Sequence, residues 1–242
     1  MGGKRLRVEA LLAAAAAPLP PPVADLVPDP TLADLLPADL PGLLARLPTA
    51  DLHLQDEVEA ARHPTLTRVW CRQGRRGQRL VEAPGTNKKR VGFGLVGWRD
   101  GWLDWARAEG RRAAPFCAQL RRALARAAAR DRFAIVVRDN LSIHTPGGSR
   151  LVRALLAEAG ERLVLVYTPR YDPDANRIEW LWRALRRAVT HCHQRETLDL
   201  LLADADAWAA ARPPADVLRQ IGSPFAPPDP AAHAAPPLTP AA

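Results

Sequence analysis

Cysteine is scarce in this chain: Cys71, Cys117 and Cys192 are three in 242 residues. So small, odd and widely spaced a set cannot staple a secreted fold, so the thiols read as free and the chain as cytoplasmic. Long apolar runs are also missing. Arg, Asp or Pro interrupts every stretch before the roughly 18 to 20 residues a membrane span needs, which excludes a membrane as partner. The opening Lys4-Arg5-Leu6-Arg7 and the stretch from Leu11 to Ala17 imitate a secretory signal only superficially, because Glu9 separates them and the apolar part is mostly alanine. Proline, abundant overall at 24 residues, is sparse in one region. Nine prolines fall between Pro18 and Pro48 and nine between Pro213 and Pro240, which leaves six between 51 and 212. The ends therefore cannot carry long helices or central strands. Residues 1–50 read as a Pro/Ala-rich segment with no recognisable DNA-recognition module, 51–212 as the folded domain, and 213–242 as a Pro-rich disordered tail.

What the chain does have is positive charge. Lys and Arg number 34 against 26 Asp and Glu, a net +8. Within 51–212 the balance is 29 to 19, so the domain alone carries +10. The cations cluster as Arg72, Arg75, Arg76 and Arg79, then Lys88, Lys89 and Arg90, then Arg183, Arg186 and Arg187, a distribution suited to a phosphate-backbone partner. A solvated basic surface would look the same by charge alone.

Both strand and helix periodicities occur in 51–212. Leu52, Leu54, Asp56 and Val58 alternate with His53, Gln55, Glu57 and Glu59, as in a half-buried strand. Val91, Phe93 and Leu95 alternate with Gly92 and Gly94, and Asp100-Gly101 marks a hairpin leading to Trp102 through Arg107. Pro115 opens a helix with Phe116, Leu120, Leu124 and Ala127 on its apolar face. Phe133 to Val137 and Leu163 to Val166 are short β-branched runs typical of strands covered on both faces, with a helix from Ser149 to Ala159 between them. The sum is an α/β domain with a mixed sheet.

Three acids stand where acids cost energy. Asp56 interrupts the apolar row of its strand; a lone buried carboxylate there costs several kcal/mol, so it calls for a cation, a metal or a hydrogen-bond network. Asp139 follows a buried strand directly, at the carboxyl end where open α/β sheets contact ligands; a turn-capping role is the alternative. Glu179 lies at the margin of a helical stripe of Ile178, Leu181, Trp182, Leu185, Ala188 and Val189, where an ion pair with Arg183 is the simpler explanation. Converging carboxylates in a basic domain can hold two hard divalent ions about 3.5 to 4 Å apart, one activating a nucleophilic oxygen and one stabilising the leaving oxygen of a phosphodiester. Cys192 between His191 and His193 lacks a second ligand pair at zinc spacing. Trp70, Trp98 and Trp182 read as core residues.

Leu54-Gln55-Asp56-Glu57, Val69-Trp70-Cys71-Arg72-Gln73-Gly74, Val136-Val137-Arg138-Asp139-Asn140 with His144, and the string from Thr168 to Trp182 occur together and in order. In these words the chain, from about 51 to 208, resembles the catalytic domain of bacterial insertion-sequence transposases of the mariner superfamily. The stretch from Tyr171 to Trp182 is the most specific part. The resemblance implies a ribonuclease-H-like fold, a mixed sheet flanked by helices, and a catalytic, metal-binding triad of Asp56, Asp139 and Glu179. It also implies Mg²⁺ or Mn²⁺ as cofactor, DNA (element ends and target) as partner, and cleavage followed by joining through a freed 3′-hydroxyl. Asn140, His144 and Asn176 are then groups supporting the triad or touching DNA, with Asp174 or Asn176 able to cap the helix of Glu179. Arg72, Arg75, Arg76, Lys88 and Lys89 are candidates for phosphate contacts.

Such proteins usually carry helix-turn-helix modules ahead of the catalytic domain, and the fifty residues before Asp51, with nine prolines, have no room for two of them. Two protein partners fit that picture: the product of an upstream frame bearing the modules, and a second copy of the chain. The rival expectation is a truncated, catalytically inactive remnant that binds nucleic acid non-specifically.

Overall fold

The computed structural model describes residues 50–68, 73, 80–82, 87–139, 141, 144–168 and 176–228. Among these, five strands build one mixed sheet in the order β3-β2-β1-β4-β5. The strands are β1 (Ala50–Ala61), β2 (Lys89–Gly97), β3 (Leu103–Ala108), β4 (Phe133–Arg138) and β5 (Leu163–Tyr167). The β1–β2–β3 meander is antiparallel, whereas β4 joins β1 and β5 joins β4 in parallel.

The elements follow from local chemistry. Asp100 and Gly101 form the β2–β3 turn: Gly101 takes φ +65°, a conformation costly for other residues, and the Asp100 carboxylate accepts the Trp102 N–H. Parallel strands need crossovers, and the stretch between β3 and β4 folds as helix α1 (Ala113–Ala128) while that between β4 and β5 folds as α2 (Arg150–Ala159). The side chain of Ser149 caps α2 by accepting the N–H of Val152. Helices α1 and α2 cover one face, burying Phe116, Leu120, Val152 and Leu155 on Phe93, Leu95, Val136 and Leu165. Helices α3 (Ile178–Leu185), α4 (Leu198–Ala210) and α5 (Pro214–Gln220) cover the other, on Leu52, Leu54, Ile135 and Val164.

Two expectations are corrected. Strand β1 is buried on both faces, not one: His53, Gln55 and Glu57 on the α1 side are as inaccessible as Leu52, Leu54 and Val58 opposite. Polar residues in that row suggest an exposed face, and the helix α1 that covers them is more than fifty residues away in sequence, with Gln119 on it lying 3.4 Å from Gln55. Nor does the domain end at 212. Helix α5 buries Val217, Leu218 and the following Ile221, and the Ser223 hydroxyl donates to the Trp98 carbonyl at 2.6 Å. Residues 229–242, like 1–49, lie outside the described residues.

Candidate active site

The β1–β4 ladder stops at Leu54 opposite Val137. Carried two residues further, the same register sets Asp56 level with Asp139, each just beyond the paired region and on the face that α3 covers. Strand β1 continues past this point on β2 alone, which leaves the Gln55 carbonyl without a ladder partner on the β4 side. The Asn176 side-chain amide donates to that carbonyl at 2.9 Å. This bond ties the start of α3 to β1 and so brings Glu179, in the first turn of the helix, to the place where the strands part.

Asp56, Asp139 and Glu179 line one cleft of about 540 Å³, together with Glu57, Glu59, Ala61, Thr65, Lys89, Arg111, Leu141 and Arg186. Each acid has its own donor. The indole Nε1 of Trp182 donates to Asp56 Oδ2 at 3.1 Å. Arg138, fully buried and stacked over Phe116, pairs with Asp139 Oδ1, and the Leu141 N–H donates to the same oxygen at 3.2 Å. Glu179 Oε2 lies 3.4 Å from Arg186 Nη1, so its ion pair runs to the cation two turns on. Burial and the nearby charge of Glu179 push the Asp56 carboxyl well above the ordinary carboxylate range; Glu57 and Asp139 add to this, and the Glu57 backbone N–H opposes it. Among the described residues no three acid, His or Cys side chains are drawn together tightly enough to form a metal site as they stand. The donor set nonetheless suits a hard divalent cation: carboxylate oxygens whose mutual repulsion such an ion would relieve.

A second polar layer lies behind β1. Gln55 donates to Glu57 Oε1 at 3.2 Å and lies 3.4 Å from Gln119 Oε1, while Gln119 donates to the Asp104 carbonyl. His144 Nε2 approaches Glu57 Oε1 to 3.4 Å without the alignment of a hydrogen bond. Burial, reinforced by the Arg138 charge, lowers the His144 pKa to about 3, so the ring is neutral at physiological pH; burial likewise raises that of Glu57.

The residues expected from the sequence are thus distributed unevenly. Asp56, Asp139, Glu179 and Lys89 share the cleft, with Lys89 held 3.2 Å from Glu59, and Lys88 is exposed beside it. His144 has no accessible surface, so it lies behind the cleft and has no surface to offer DNA. Asn176 does not cap α3: the N-cap is Arg177, with no side-chain cap bond, because the Asn176 amide is spent on β1. Asn140, Arg72, Arg75, Arg76 and Trp70 lie outside the described residues, whereas Trp98 and Trp182 are fully buried in the core. Glu57, Glu59, Thr65, Arg111 and Arg186 line the cleft without having been singled out as site residues. Glu57 adjoins Asp56 and Arg186 belongs to a basic run, so both carried a signal; nothing local marks Thr65 or Arg111.

Sheet order, helical layers and an acidic cleft at the carboxyl ends of β1 and β4 define a ribonuclease-H-like domain. The family model described as "DDE superfamily endonuclease" matches residues 51–201, and the chain belongs to that family. A curated relative, the "Insertion element IS630 uncharacterized 39 kDa protein" of Shigella sonnei, is 29% identical over 148 residues, 61% of this chain and 41% of that protein. The Mos1 mariner paired-end complex with Mn superposes with a TM-score of 0.53 at 19% identity, over 72% of this chain and 52% of that one. The Mos1 paired-end complex with the left transposon end gives 0.52 over the same shares. At that identity the likeness is one of fold. The chain spans about two fifths of the insertion-element protein and about half of the Mos1 transposase chains.

Proposed function

We propose that this chain is the catalytic domain of a DDE transposase, cutting and joining DNA with a divalent metal, Mg²⁺ or Mn²⁺. The observation that carries the reading is the single cleft shared by Asp56, Asp139 and Glu179, two at the parting of adjacent strands and one on the helix that crosses them. The family match and the Mos1 fold, solved in one instance with Mn, support it. When bound, the metal supplies positive charge to the attacking and leaving oxygens of a phosphodiester.

The chain's own residues do the rest. Asp56, Asp139 and Glu179 would hold the cations, and Arg138 and Arg186 orient the Asp139 and Glu179 carboxyls beforehand. Asn176 keeps α3 seated on β1. Lys89, Arg111 and Arg186 stand along the cleft where a phosphate backbone would pass, Lys88 is exposed beside them, and Arg72, Arg75 and Arg76 are further phosphate-contact candidates by sequence. Asn140 belongs to the same neighbourhood by sequence. Element ends and target DNA are the substrates on this reading, and a partner polypeptide bearing recognition modules or a second copy of the chain would complete the assembly.

The test is incision and strand joining on a pre-nicked element-end duplex in Mg²⁺ or Mn²⁺. Cleavage by the wild type that falls at least 100-fold in Asp139→Asn supports the proposal. DNA binding without any cleavage contradicts it and favours a non-catalytic nucleic-acid-binding remnant.

A further inference from the structure

Trp182 is one turn from Glu179 on α3, yet its ring ends at Asp56 on β1. It is fully buried, and its Nε1, which can only donate, gives its proton to Asp56 Oδ2 at 3.1 Å. The ring's path is fixed from below. Gly94 is the register partner of Asp56 on β2, and a Cβ at that glycine would come within 2.1 Å of Trp182 Cη2 and 2.4 Å of Cζ2. The indole therefore lies directly on bare backbone. Trp105 closes the other side, edge-on, at 5.8 Å between ring centroids and 61° between planes. A side chain with two rotatable bonds, held on three sides, leaves its N–H little choice of direction.

We infer that Trp182 is a positioning residue for the metal site, with Gly94 as the space that admits it. Its indole N–H fixes the orientation of the Asp56 carboxyl relative to the helix that carries Glu179. This rests on the proposed function, since it assumes that Asp56 is a metal ligand. The physical case is that of donors behind metal-binding carboxylates generally: removing one leaves the ligand in place but free to turn, which weakens metal binding on the order of 10- to 100-fold. A purely structural indole would need a partner for its N–H but would not respond to the metal.

Trp182→Phe keeps an aromatic ring in the same pocket while removing the donor and part of the indole's volume. The full chain and this variant are compared by calorimetric titration with Mn²⁺ and Mg²⁺, and the wild type by indole ¹H–¹⁵N spectra during Mg²⁺ addition. The variant should bind metal at least 10-fold more weakly while keeping a cooperative thermal transition. In the wild type, the indole resonance that disappears in Trp182→Phe should shift and saturate with Mg²⁺. If the variant does not fold, the spectra decide: one of seven indole signals must move with Mg²⁺ in the wild type, and the Asp56→Asn substitution itself must displace that same signal and remove its response to Mg²⁺. Wild-type affinity in a folded Trp182→Phe, or an indole resonance indifferent to saturating Mg²⁺, overturns the inference. If the wild type binds metal and Asp139→Asn abolishes it while Trp182→Phe changes nothing, only the inference falls. If the wild type binds no metal, the inference and the proposed function fall together.

Discussion

Asp56 is the residue on which the site's electrostatics concentrate. Its neighbours include Glu179, Glu57 and Asp139, and its own burial already disfavours charge. A carboxyl whose folded pKa stands above its unfolded value contributes stability at low pH and loses it as pH rises through the folded pKa. At neutral pH without metal, Asp56 is therefore a destabilising group, because the unfolded chain ionises it freely and the fold disfavours its charge. Asp56→Asn should raise the metal-free melting temperature at pH 7 by roughly 2 to 4 °C, about 1 kcal/mol, and abolish the further stabilisation that Mg²⁺ gives the wild type. Scanning calorimetry with and without metal checks both halves. Asp56 was legible in the sequence because an acid interrupts an apolar row of period two. Arg111 was not, since its place in the cleft depends on a contact with Glu59 some fifty positions away.

At the scale of elements, the joints between strands and helices decide where the acids stand. Asn176→Ala would leave the Gln55 carbonyl without its donor where the β1–β4 ladder ends. The variant should lose about 1 to 3 kcal/mol of stability by chemical denaturation, with protection against hydrogen exchange falling first at the start of α3. A second joint lies at the other end of the sheet. Asp51 pairs with Arg130 and Arg132 at 3.0 and 2.9 Å, and Asp100 pairs with Arg126 and Arg130, pinning the β2–β3 turn to the end of α1. Burial pushes Asp100 up, but bonds from Arg126, Arg130 and the Trp102 N–H prevail and bring its pKa to about 2. Because Asp100 is partly exposed, solvent screening limits the stabilisation to about 1 kcal/mol; it is complete above the unfolded value near 4 and is lost as pH falls towards 2. Asp100→Asn should flatten that limb of the stability profile. Strands, helices and the Asp100-Gly101 turn were legible because each depends on local periodicity or turn chemistry. The Asn176 bridge was not, because it answers a gap in a ladder between strands some eighty residues apart.

For the molecule as a whole, the Pro-rich C-terminal stretch misled as to where the fold ends. Proline excludes helix interiors but opens helices, and Pro213 and Pro214 stand at the N-cap and first turn of α5. Ending the chain at Arg212 would strip Val217, Leu218 and Ile221 from the core beside Trp98. The loss should be roughly 3 kcal/mol or more, visible as a lower denaturation midpoint. The net charge of +8 acts at the same scale: DNA affinity should fall steeply between 50 and about 200 mM salt, on the order of 10-fold or more, with little dependence on DNA sequence.

On the proposed reading, Asp56, Asp139 and Glu179 surround the bound divalent cations. Replacing Mg²⁺ by Fe²⁺ and adding ascorbate generates radicals that cut the backbone within a few ångströms of the bound metal, and mass spectrometry locates the cuts. Cleavage should fall next to all three acids, be suppressed by excess Mg²⁺ and vanish in Asp139→Asn. Cuts confined elsewhere, or unchanged in that variant, would contradict the account.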